Sequence, residues 1–152
     1  MTTQVLKKSL FQFCHTYVEQ RIARINSQII ELQHSLSSET KSSAGDKHET
    51  GRAMIQLERE KLGKQLFEAE KMFGILNKIN IDEPTNSIRL GSLVYTSKQN
   101  YFLSISAGEF RDIKTSVFCI STGTPMAQML LGKSVGEVAY FNGEEIYIDE
   151  IV

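Results

Sequence analysis

The chain has 152 residues, 41% of them hydrophobic, and its 17 Lys and Arg nearly balance 18 Asp and Glu, leaving a formal charge of -1. That is enough apolar material for one domain or two small ones, and too little charge bias for a nucleic-acid-binding footprint. No run of about 18 apolar residues exists to cross a bilayer, the first ten residues lack a signal-peptide pattern, and the two cysteines, Cys14 and Cys119, form neither a disulfide framework nor a zinc pattern.

The expected setting is therefore the cytoplasm, with no membrane partner and with both thiols buried. The charge is unevenly spread. Residues 1–80 carry 12 basic against 9 acidic side chains, while residues 81–152 carry 5 against 9.

From about Val5 to Leu36, apolar residues recur at helical spacing through Phe11, Cys14, Val18, Ile22, Ile25, Ile29, Leu32 and Leu36. From Val18 on, the steps alternate between four and three, which keeps one seam facing a partner helix. Residues 35–45 lose this pattern, and their serines compete for backbone hydrogen bonds, so the first helix should fray or stop there. A polar turn, Ser42-Ser43-Ala44-Gly45-Asp46-Lys47-His48-Glu49, follows. A second pattern starts near His48 and runs through Ile55, Arg59, Leu62, Leu66, Ala69, Phe73 and Leu76. Arg59 either flaws the seam or lays its stem along it with its charge in water.

Two helices of similar length, each with one seam and joined by a short polar link, predict an antiparallel hairpin over residues 1–79. The alternative is two helices in separate chains, forming a dimer. Residues 80–87, with Asp82-Glu83-Pro84, read as a linker. Beyond them the period falls to two. Strands are expected at Ile88–Tyr95, Tyr101–Ser106, Ser116–Ile120, Val135–Phe141 and Ile146–Ile151, with a two-turn helix over Thr124–Gly132 and a tight turn at Asn142-Gly143. The fold class is thus α+β: a coiled-coil hairpin followed by a small mixed antiparallel sheet domain, 88–152, with one short helix. The aromatic residues Tyr95, Phe102, Phe110, Phe118 and Tyr140 are expected to fill the interior of that domain.

Asp46 and Glu49 stand one turn apart at a helix start. There they can form a capping box that satisfies free backbone N–H groups, or face the same way and share a divalent ion. His48 lies between them, and His15 and His34 are too far apart along their helix to share a metal. No Ser-His-Asp, Cys-His or metal-ligand cluster marks an independent hydrolase, so the chain is expected not to be an enzyme.

The segment Thr124-Pro125-Met126-Ala127-Gln128-Met129-Leu130-Leu131-Gly132-Lys133-Ser134-Val135-Gly136-Glu137-Val138 resembles the closing segment of the Gre family of bacterial transcript-cleavage factors. Gly45-Asp46-Lys47-His48-Glu49 is similar to that family's hairpin tip, and the two motifs fall in the family's order. The resemblance implies an FKBP-like second domain and a bacterial RNA polymerase partner, entered through its secondary channel. It also implies that Asp46 and Glu49 help hold a Mg²⁺ shared with the polymerase near the backtracked RNA 3′ end, so that the polymerase cleaves its own transcript. The factor itself would be a monomer when free. Two readings stay open beside it: a channel binder that inhibits or competes without cleavage, and a coiled-coil interaction module unrelated to polymerase.

Overall fold

The computed structural model describes residues 2–41 and 46–152; the side chains of residues 39–41 and 46–48 are outside the description. Two long helices, α1 (Thr3–Lys41) and α2 (Asp46–Asn77), precede six strands and a short helix. The strands are β1 (Leu93–Thr96), β2 (Asn100–Ser104), β3 (Gly108–Arg111), β4 (Ser116–Ser121), β5 (Val138–Phe141) and β6 (Glu144–Ile151), with α3 (Pro125–Leu130) between β4 and β5. Two compact units result, and one is discontinuous in sequence: residues 18–72 form the first, and residues 1–17 together with 73–152 form the second.

In the first unit the predicted seam is present. Ile25, Ile29, Leu62 and Ala69 are buried together, with Ile22, Leu32 and Leu66 packed against them. Arg21 meets Met72 at one end of the pair, while Leu36 and Ile55 border a common cavity toward the other, so the helices run antiparallel. This is the expected coiled-coil hairpin.

Helix α1 runs through the first serines and ends at Lys41, within the stretch 35–45 where it is expected to fray or stop. Ser35, Ser37 and Ser38 are exposed there, and serine costs a helix only about 0.5 kcal/mol, too little to end a helix already propagating.

In the second unit the six strands form one mixed sheet in the order β3-β4-β2-β1-β6-β5. Four of the five pairings are antiparallel and β2 pairs with β4 in parallel, so the sheet is mixed and mainly antiparallel as expected, with one strand more than the five expected. The missed strand β3 reads Gly-Glu-Phe-Arg, is short and only half-buried, and lacks the β-branched run that announces the others. The strand expected from Ile88 begins at Leu93. Residues 89–92 instead close a turn, with Ser92 N–H donating to the Arg89 carbonyl at 3.0 Å and Gly91 at φ 92°, a left-handed conformation that favours glycine.

Helix α3 starts as its sequence predicts: Thr124 Oγ1 accepts from Ala127 N–H at 3.2 Å, and Pro125 occupies the first turn. It buries Ala127 and Leu130 against Val94, Leu103, Ala139, Ile146 and Ile148 on one face of the sheet. Asn142 and Gly143, at φ 51° and 78°, make the predicted hairpin turn between β5 and β6.

The opposite face of the sheet receives the first turns of α1. Leu10 and Cys14 are fully buried; Cys14 Sγ lies 3.3 Å from Ser104 Oγ on β2 and is hydrogen-bonded to Cys119 on β4, and Phe13 packs edge-to-face on Phe110 of β3 at 5.5 Å. The two thiols, placed far apart by the sequence, thus meet. Hydrogen bonding to Cys14, reinforced by burial, pushes the Cys119 thiol far above its ordinary range, so it stays protonated.

Truncating Leu10 to alanine should leave a cavity between α1 and the sheet and cost about 2–5 kcal/mol of stability. Urea denaturation of Leu10→Ala measures this, and a loss below about 1 kcal/mol would show that α1 does not pack there as described.

Candidate functional site

The hairpin unit holds the sequence-predicted acidic pair at the start of its second helix. Asp46 is the first residue of α2, and Glu49, one turn later, is exposed. The turn residues 42–45 and the side chains of Asp46, Lys47 and His48 lie outside the described residues, so whether Asp46 caps the helix is not part of the geometry. Sixteen residues of continuous helix separate Asp46 from the seam residue Leu62, a rise of about 24 Å. Arg52, one turn beyond Glu49, is exposed as well.

The seam loosens toward that end. Leu32, Leu36, Ile55 and Arg59 border a largely apolar cavity of about 180 Å³, where Leu36 and Ile55 are half-buried rather than buried. Arg59 is exposed, and its guanidinium lies near Gly63. Of the two readings of this residue, the stem along the seam with its charge in water is the one observed. Among the described residues, no group of three or more His, Cys, Asp or Glu is placed to hold a metal ion, and no helix is long and apolar enough to cross a membrane. His15 packs edge-on against Phe11 and Phe73, with ring centroids 4.6 and 5.3 Å away, and His34 is exposed. Neither reaches the acidic pair.

A polar feature of the second unit escaped sequence reasoning. Lys7, which no sequence motif singles out, is 2% exposed. Its ammonium donates to the Val152 carbonyl at 2.9 Å and lines a cavity of about 170 Å³ with Lys78, Asn80, Glu83 and Arg89. Burial, and then the Arg89 charge, hold its pKa below the usual lysine value, with Asp82 opposing them. No spacing rule marks such a residue, because only the fold decides which solvent-facing position a neighbouring loop will cover.

The arrangement defines a class: a two-helix hairpin with carboxylates at the start of its return helix, borne by a chain whose other unit is a six-stranded mixed sheet with one short helix. No protein-family model matches the sequence, and no curated protein matches it. Among solved structures, GreA factor homolog 1 (Gfh1) of Thermus thermophilus is similar at 22% sequence identity, with 89% of this chain and 92% of that chain covered and a TM-score of 0.35. A second structure, of the transcription factor Gfh1, is similar at 20% identity, with 88% and 90% covered and a TM-score of 0.34. Likenesses of this size carry no conclusion about what the chain binds or does.

Two outcomes are expected from these environments. Arg59→Leu should fill the seam cavity with apolar surface and add about 1 kcal/mol of stability by urea denaturation; a destabilised variant would mean that the seam needs the long Arg stem. Because the folded pKa of Lys7 is depressed, the unfolded state binds more protons as the pH approaches lysine's ordinary 10.5, so the wild type should gain stability relative to Lys7→Met between pH 7 and 10. Parallel pH profiles for the two proteins would refute the buried ammonium.

Proposed function

We propose that this protein is an accessory factor of bacterial RNA polymerase that inserts its helical hairpin into the secondary channel and rescues backtracked complexes by stimulating the polymerase's own transcript cleavage. The observation that carries this reading is the hairpin of residues 18–72: it closes its apolar seam on itself, and its return helix opens at Asp46 with Glu49 exposed one turn on. A helix pair that satisfies its own seam needs no second chain to cover it, which favours a free monomer over a coiled-coil dimer. Support also comes from the resemblance of the tip motif and of the segment Thr124–Val138 to Gre factors, with Thr124 and Pro125 starting α3.

The donor set fits a shared ion rather than a resident one. Two carboxylates on one helical turn fall short of a complete Mg²⁺ shell, and Mg²⁺ commonly takes only one or two carboxylates and keeps several waters. Asp46 would be the principal ligand, and Glu49 would complete the shell or orient a water by accepting its proton in a hydrogen bond. When bound, such an ion supplies a lowered water pKa and charge stabilisation for phosphodiester hydrolysis. The protein's own contribution is positional: a continuous α2 carries both carboxylates at one helix start, where the helix dipole favours negative charge. On this reading the chain is not itself an enzyme; the partner is polymerase, with the RNA 3′ end next to the tip, and the setting is the cytoplasm.

The test is a stalled elongation complex with backtracked RNA and Mg²⁺. Added protein should shorten the RNA from its 3′ end, and Asp46→Ala or Glu49→Ala should slow this by about tenfold or more while polymerase binding persists. Binding without shortening would replace the reading by a channel blocker, and absence of binding would replace it by an unrelated interaction module.

A further inference from the structure

The sheet face that receives α1 at β2, β4 and β3 is exposed at the tyrosines of β5 and β6. On these two strands Ala139, Ile146 and Ile148 point into the core with α3, so their alternates point the other way. Val138 lies opposite Tyr147, and Tyr140 opposite Glu145. Tyr140 is 59% and Tyr147 48% exposed, and Glu145, Asp149 and Glu150 are exposed beside them. Tyr140 therefore does not fill the interior as its aromatic character suggested; the alternation of β5 turns it outward. Tyr95, opposite Glu150 on β1, extends the aromatic row toward the part of the face that α1 covers.

The charge beside these tyrosines is mainly negative. Glu145 pairs with Tyr140 and Glu150 with Tyr95, and Asp149 lies between Ile148 and Glu150 where the register shifts, whereas Glu144 pairs with Phe141 on the other face and Glu137 accepts from Ser134 N–H. A cation on the adjoining β1–β2 turn, Lys98, is exposed, and Ser97 of that turn hydrogen-bonds the Tyr147 backbone at 3.0 Å. Tyr147 donates its phenolic proton to Glu145 at 2.7 Å; that bond and the Glu145 charge hold its pKa above the ordinary tyrosine value, as burial and the Glu150 charge do for Tyr95. The hydrogen bond fixes one ring edge and leaves its face to solvent.

We infer that this tyrosine–carboxylate face docks a lysine- and arginine-rich segment of a partner protein. Guanidinium and ammonium groups stack on tyrosine faces and pair with carboxylates, and a row of both offers alternate anchors at strand spacing. The carboxylates of Glu145, Asp149 and Glu150 repel nucleic-acid phosphate and anionic lipid, which leaves a basic protein segment as the occupant. The inference stands on the sheet unit alone and does not depend on the hairpin's role.

Binding of an oligo-arginine peptide to the full-length protein, followed by NMR and by titration at low and moderate salt, tests it. The largest shifts should fall on Tyr140, Tyr147 and Glu145, and affinity should drop about tenfold in Glu145→Lys and in Tyr140→Ser, while the remote substitution Glu70→Lys leaves it within about twofold. All three positions are exposed, and circular dichroism confirms that the variants fold. The inference is overturned if Glu70→Lys weakens binding as much as the patch substitutions, if the shifts spread evenly over all acidic residues, or if the peptide does not bind. It is equally overturned if the face pairs with a second copy of this chain, seen as a dimeric solution mass that Tyr140→Ser reduces to the monomer.

Discussion

The structure depends first on the self-closure of the hairpin seam. Ile25 and Ile29 on α1 and Leu62 and Ala69 on α2 are buried against one another. A single amphipathic helix of this length would have to find a partner in another molecule or lose its helical state, since isolated helices gain most of their stability from packing. Ala69 matters because a small side chain lets the two backbones approach, and the larger Ile22 and Leu66 flank the contact. With the seam satisfied internally, the polar faces of the described residues are left to solvent.

In the sheet unit, the first turns of α1 perform for one face what α3 performs for the other. Cys14 and Phe13 meet β2, β4 and β3 on one side, while Ala127 and Leu130 close the second. A sheet buried on both faces loses the apolar–polar alternation that marks a half-exposed strand, and β2, buried from Tyr101 to Ser104, shows this. Strands β5 and β6, covered on one face only, keep the alternation. The pattern of covering thus explains both the stable centre of the sheet and the unprotected tyrosines at its margin.

Much of this was legible in the chain. The four-and-three spacing gave the seam, Thr124-Pro125 gave the helix start, and Asn142-Gly143 gave the turn, because each is a local rule with a local cause. What the sequence hid was non-local. The parallel β2–β4 pairing and the edge strand β3 depend on which segments meet across 15 or so residues, and the meeting of Cys14 with Cys119 depends on where α1 crosses the sheet. Tyr140 was misjudged for a related reason. Aromatic residues enter cores and exposed faces alike, and only the register of β5 against β6 decides which. For the acidic pair the helix start was legible from its spacing, the exposure of Glu49 comes from the structure, and the Asp46 side chain lies outside the described residues.

The acidic pair also poses a question of competing energies. A carboxylate at the first turn of a helix gains about 0.3–1 kcal/mol from the helix dipole and about 1 kcal/mol if it caps a backbone N–H. Those gains suffice to favour acids at this helix start, but they are small beside the attraction of a divalent cation in a site shielded from water. Helix-terminal carboxylates are therefore held in place without being locked. The backbone of α2 is helical from Asp46 on, and interactions this weak would yield to a stronger partner. A pair of acids buried in the body of the protein would have the opposite character, its oxygens committed to internal donors and released only at a cost of several kcal/mol. Glu49, exposed on the return helix, has no such internal commitment by burial, which is the condition the proposed role requires.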